Sequence, residues 1–118
     1  MGDRAIIHVK DSACSAYLHW DGASNIELLN QAIPTMRYDD PDYSQARLIG
    51  VLHNAISGNS GLGVMPPPSE EDYAQNMLDY SHGDAGVIIY DCKTGELQVY
   101  NGYLEHEDLP TKLDIPPE

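Results

Sequence analysis

Two short β-rich stretches near opposite ends of the chain constrain the fold most: Arg4 to Lys10, which alternates, and Ala85 to Tyr90, which is strongly apolar. Ile6-Ile7-His8-Val9 and Val87-Ile88-Ile89-Tyr90 are dominated by β-branched and aromatic residues, and Asp or Gly lies close to each. Runs of this length and composition form strands. Each has a strand-like companion nearby. Arg4 to Lys10 is followed by Asp11 and Ser12, then by Cys14 to Trp20, which predicts an N-terminal hairpin. Ala85 to Tyr90 is followed by the Lys93-Thr94-Gly95 turn and a returning strand over Leu97 to Tyr103. In that strand Leu97 and Val99 share one face, Gln98 and Tyr100 the other.

The stretch between the hairpins changes period. Ser24 with Glu27 makes a capping box, and Ile26, Leu29, Ala32 and Ile33 then repeat at helical spacing until Pro34 limits the run. Asp40-Pro41 is a second helix start, with Asp as N-cap and Pro at the first position. Tyr43, Ala46, Leu48, Ile49, Leu52, Ala55 and Ile56 carry that helix to about Ser57, and Gly58 stops it. Residues 58–68 read as loop, with room for a short strand over Leu62-Gly63-Val64-Met65. Ser69 to about Asp79 reads as a third, acidic helix.

Hairpin, helices, hairpin predicts an α+β fold: an antiparallel sheet of four or more strands with two or three helices on one face. The 118 residues fit one domain, with 104–118 as an extended acidic tail, docked in part by Leu104, Leu109 and Leu113 or disordered at its end. No linker or internal repeat divides the chain.

Charge narrows the partners. Nineteen acids against six bases leave a formal net charge of −13. From Leu48 through Cys92 there is no Lys or Arg, while Glu70, Glu71, Asp72, Asp79, Asp84 and Asp91 lie there with Tyr73, Tyr80 and Tyr90. Such a surface repels nucleic acid and anionic lipid and attracts basic protein surfaces. The absence of a secretion signal or a long apolar run points to a soluble, cytoplasmic protein. Cys14 and Cys92 are then expected as reduced thiols that pack as small hydrophobes.

The His19-Trp20-Asp21-Gly22 segment, within Tyr17 to Leu29, resembles one found in small uncharacterised proteins of phages and mobile bacterial elements, where an amphipathic helix follows the strand. The resemblance implies a context: a phage-encoded protein acting on a host target. In composition the chain is also similar to acidic anti-defence inhibitors, anti-CRISPR or anti-restriction proteins among them.

Two functional readings follow. In the first, the chain is a binding protein, and its acidic-tyrosine segments dock on a basic, nucleic-acid-binding surface of a host or defence complex and inhibit it. The candidate contact residues are Asp39, Asp40, Asp42, Tyr43, Glu70, Glu71, Asp72, Tyr73, Asp79 and Tyr80. In the second, it is a small metal- or thiol-dependent enzyme. His19-Trp20-Asp21 and His82-Gly83-Asp84 repeat a His-x-Asp pattern that would bind a divalent metal if the two segments met, and His8 and His53 are further ligand candidates. Cys14 with His19, His53 or His82 is the thiol version. The bases expected of a phosphate loop are missing around Gly58, Gly61 and Gly63, and no structural zinc spacing is present. The first reading is preferred, with no cofactor and no catalytic residue. A homo-oligomer built through Tyr100 and Tyr103 on the last strand's edge is compatible with it.

Overall fold

The computed structural model describes residues 4–18, 25–55, 62–66, 85–100, 102–106 and 108–117. In chain order the elements are β1 (Ala5–Val9), β2 (Ser15–Leu18), α1 (Asn25–Ala32), a 3-10 turn (Ile33–Thr35), α2 (Pro41–Ala55), β3 (Leu62–Met65), β4 (Gly86–Tyr90), β5 (Leu97–Tyr100) and a second 3-10 turn (Tyr103–His106). The third expected helix lies outside the described residues.

The five strands form one sheet in the order β3-β2-β1-β4-β5. Both expected hairpins are present: β1 pairs antiparallel with β2 (Ile6 with Tyr17), and β4 with β5 (Ile88 with Val99). The short strand β3 pairs antiparallel with β2, Val64 facing Ala16. The sheet departs from a wholly antiparallel one at its centre, where β1 runs parallel to β4 and Ala5 to Val9 match Gly86 to Tyr90. Two central strands buried on both faces do not need the polar–apolar alternation of a half-exposed strand. Every residue of β1 and β4 is buried.

The sheet divides the core. Ala5, Ile7, Val9, Ala16, Leu18, Ile88 and Tyr90 pack with Leu28, Leu29 and Ala32 of α1 and Leu48 and Leu52 of α2, so both described helices lie on one face. Leu29, Leu48 and Leu52 are fully buried, each contributing about 1.5–3 kcal/mol. The opposite face carries a second cluster: Ile6, Val87 and Ile89, with Tyr17, Met65 and Tyr100 against it. As expected, Leu97 and Val99 join the helix-side core while Tyr100 joins the other.

Proline punctuates the helices as the sequence implied. Pro34 converts the end of α1 into a 3-10 turn, and Pro41 opens α2 at its first position. β5 stops at Tyr100 rather than Tyr103, because the chain passes Gly102 hard against the Ala85 backbone before it turns. The C-terminal segment is docked. Leu97 N–H donates to the Thr111 carbonyl (2.9 Å), Leu113 N–H to the Gly95 carbonyl (2.7 Å) and Tyr90 Oη to the Asp114 carbonyl (2.5 Å). It therefore covers the start of the β5 edge that the oligomer reading left open. Gly95, at φ +81°, has no room for a Cβ beside the Leu113 carbonyl, so the turn requires glycine.

Candidate functional site

The four described candidate residues sit at the start of α2, and each has a local task. Asp40 caps the helix: its Oδ1 accepts from Tyr43 N–H (3.1 Å) and its carbonyl from Ser44 N–H (3.0 Å). Asp42 Oδ1 accepts from Ala13 N–H (2.6 Å), tying α2 to the β1–β2 turn. Asp39 pairs with Arg37 at 3.7 Å. Tyr43 is flanked by two arginines. Arg47 Nη2 donates to its hydroxyl (2.6 Å), and the guanidinium carbons of Arg47 and Arg37 lie 4.9 and 5.9 Å from its ring centroid. Exposed cation–π contacts of this kind contribute about 0.5–1 kcal/mol. Two of the six bases are thus spent beside three carboxylates, and the patch is less acidic than its sequence suggested. Buried Ser44 fixes the approach to the helix, donating to the Arg37 carbonyl (2.7 Å) and accepting from Arg37 N–H (3.1 Å).

Behind this patch lies a buried polar clasp that the sequence reading did not pick out. Gln45 of α2 is 1% exposed. Its Oε1 accepts from Val9 N–H (2.7 Å) and its Nε2 donates to the Ile7 carbonyl (3.3 Å), so the carboxamide stands in for a neighbouring strand where β2 has ended. Ser12 Oγ donates to the Cys14 carbonyl (2.9 Å) and reaches Gln45 Oε1 (3.3 Å). Next to it, His8 is 2% exposed, and its Nδ1 lies 3.0 Å from Ser15 Oγ, 3.3 Å from Ser12 Oγ and 3.2 Å from the Cys14 carbonyl. Burial lowers the His8 pKa below the usual 6.5, against smaller upward pulls from the Cys14 carbonyl and Asp11. One signal was legible: Gln45 precedes Leu48 by three residues and Leu52 by seven, which puts it on the buried face of α2.

The remaining candidates divide simply. Glu70, Glu71, Asp72, Tyr73, Asp79 and Tyr80 lie outside the described residues, as do His19, Asp21, His82 and Asp84. Their described chain neighbours, Leu18 and Ala85, stand at one end of the sheet, where Ala5 is flanked by Leu18 on β2 and Gly86 on β4. His53 is exposed on the last turn of α2, far along the helix from Gln45. Both cysteines are free thiols. Cys14 is half-buried, and Cys92 is buried with its Sγ 3.4 Å from the Tyr38 carbonyl and its pKa raised chiefly by burial. Among the described residues no group of three or more His, Cys, Asp or Glu side chains is arranged to hold a metal ion. No helix among them is long and apolar enough to cross a membrane.

The fold and site therefore define an α+β protein with a mixed five-stranded sheet, both described helices on one face, and an acidic, arginine-braced rim at the start of α2. No protein-family model, curated protein or solved structure matches the chain.

Proposed function

We propose that this chain is a binding protein whose acidic surface docks on a basic patch of a partner protein. In its narrower form, it is an inhibitor of phage type that covers a nucleic-acid-binding surface of a host or defence complex. The observation that carries the reading is the imbalance of surface charge. Asp11, Glu27, Asp42, Glu96, Asp108 and Asp114 are all exposed, and Arg37 pairs with Asp39 at 3.7 Å. Like charges left unbalanced cost stability, and they also steer a basic partner into contact. Tyr43, with two guanidiniums beside its ring, supplies an aromatic and arginine anchor of the sort that dominates interface energies.

The test is affinity purification from a bacterial lysate, with and without nuclease, over a range of salt. A basic partner captured in both arms, and lost as salt rises, supports the reading. Capture that is indifferent to salt, or that includes no basic protein, counts against it, because exposed charges are screened beyond roughly 8 Å at physiological ionic strength.

A further inference from the structure

The β1–β2 turn, residues 10–14, is held down at three points. Val9 N–H, just before the turn, is held by Gln45; Ser12 reaches Gln45; and Ala13 N–H is held by Asp42. Both anchoring residues, Gln45 and Asp42, belong to α2. Beneath the turn lies His8, on the sheet face away from the helices, its Nδ1 enclosed by Ser12, Ser15 and the Cys14 carbonyl. We propose that His8 is a proton-operated latch: neutral, it lets the turn close on α2; protonated, it favours release of the turn and of the Asp42 carboxylate with it.

The surroundings of His8 support this. From the turn come exposed Lys10 and Asp11, with Ser12 and half-buried Cys14; from β2, Ser15 and Tyr17; from β3, Met65, which pairs with Ser15; from β4, Ile89, which pairs with His8; from α2, Gln45, with Asp42 reached through Ala13. Asp11 pulls the His8 pKa upward electrostatically, and it is exposed. An imidazolium here is surrounded by hydroxyl and carbonyl oxygens but has little water. Lifting the turn removes Ser12 and the Cys14 carbonyl and admits solvent, which favours the charged form. Asp11 sits at φ +72°, a left-handed conformation that Asp tolerates better than most residues, so the turn is held in a shape the chain does not adopt freely. The latch does not depend on the identity of any partner, although it acts on Asp42, a residue of the proposed contact face.

Amide hydrogen exchange on the full chain tests the latch at about pH 7.5 and about pH 5, values on either side of the ordinary histidine pKa. After correction for intrinsic rates, Ala13 N–H is expected to lose protection at the lower pH, by about tenfold for each unit that the folded pKa lies below the ordinary value, down to the lower of the two pH values. Ala85 N–H, bonded to the Arg4 carbonyl at the opposite end of β1 and β4, is expected to hold its protection. In His8→Gln the Ala13 change is expected to vanish. Equal loss at Ala85, an unchanged Ala13, or the same loss in His8→Gln overturns the proposal. If His8→Gln does not fold, the wild-type imidazole is titrated by NMR; a depressed His8 pKa supports the latch, and a pKa at or above 6.5 overturns it.

Discussion

Replacing Gln45 by Met removes the clasp with little change in shape. Both side chains are long and unbranched, so the packing against Leu48 and the sheet is retained while every polar contact is lost. The largest cost is the Val9 N–H, bonded to Gln45 at 2.7 Å on a residue that is 0% exposed. A buried donor left without an acceptor costs about 1–3 kcal/mol. The longer contacts to the Ile7 carbonyl and Ser12, at 3.3 Å each, add about 1 kcal/mol between them. Burying a thioether in place of an amide returns about 1 kcal/mol. The net loss is about 1–3 kcal/mol, which in a domain of this size lowers Tm by roughly 5–15 °C. Thermal and urea unfolding followed by circular dichroism measure it, and the urea slope is expected to stay unchanged because the same surface is exposed. A Tm within about 2 °C of wild type would show that Gln45 fills space and does not stand in for a strand.

Gly50 lies exposed in the middle of α2 with nothing within 4 Å of an added Cβ, so Gly50→Ala is expected to raise stability by about 0.5–1 kcal/mol. At Gly102 the added Cβ collides with the Ala85 carbonyl and Gly86 nitrogen, and Gly102→Ala is expected to cost about 1–3 kcal/mol in the same unfolding assay. Asp40→Ala removes the cap of α2 and is expected to cost about 1 kcal/mol. The His8 pKa is lower folded than unfolded, so its contribution is complete above about pH 6.5 and is lost as pH falls from there through the folded value; urea midpoints across that window should fall in wild type and fall less in His8→Gln. Elemental analysis tests the His-x-Asp enzyme reading: the binding-protein reading expects no stoichiometric divalent metal and no change in Tm with chelator, and a chelatable metal at one per chain would favour His19, Asp21, His82 and Asp84 as ligands.

Local signals were legible and the long-range join was not. Asp40-Pro41 placed the start of α2 to the residue, and the Lys93-Thr94-Gly95 turn placed the second hairpin, because caps and turns depend on residues a few positions apart. The parallel pairing of Ala5–Val9 with Gly86–Tyr90 joins residues from opposite ends of the chain, and no local rule reports it. A trace of it was present nonetheless. Both stretches are continuously apolar apart from His8, the pattern of strands buried on two faces, whereas an antiparallel sheet open on one side predicts alternation. His8 was the exception inside that pattern, and the structure gives it hydroxyl and carbonyl partners of its own.

The same distinction applies to the acidic residues. Helix-start acids have local work, and Asp39, Asp40 and Asp42 are an ion pair, a cap and an interelement tie respectively. A helix with no partner would select for capping and for favourable dipole charge at the same positions. Glu96, Asp108 and Asp114 differ: they are exposed, lie outside any helix, and cap nothing. Glu96 opposes Lys112 across the short bridge that docks the C-terminal segment on β5, so this second acidic rim is carried by backbone pairing rather than by helix ends. A field meant for a partner is best sought there, where removing a charge leaves the fold's own hydrogen bonds intact.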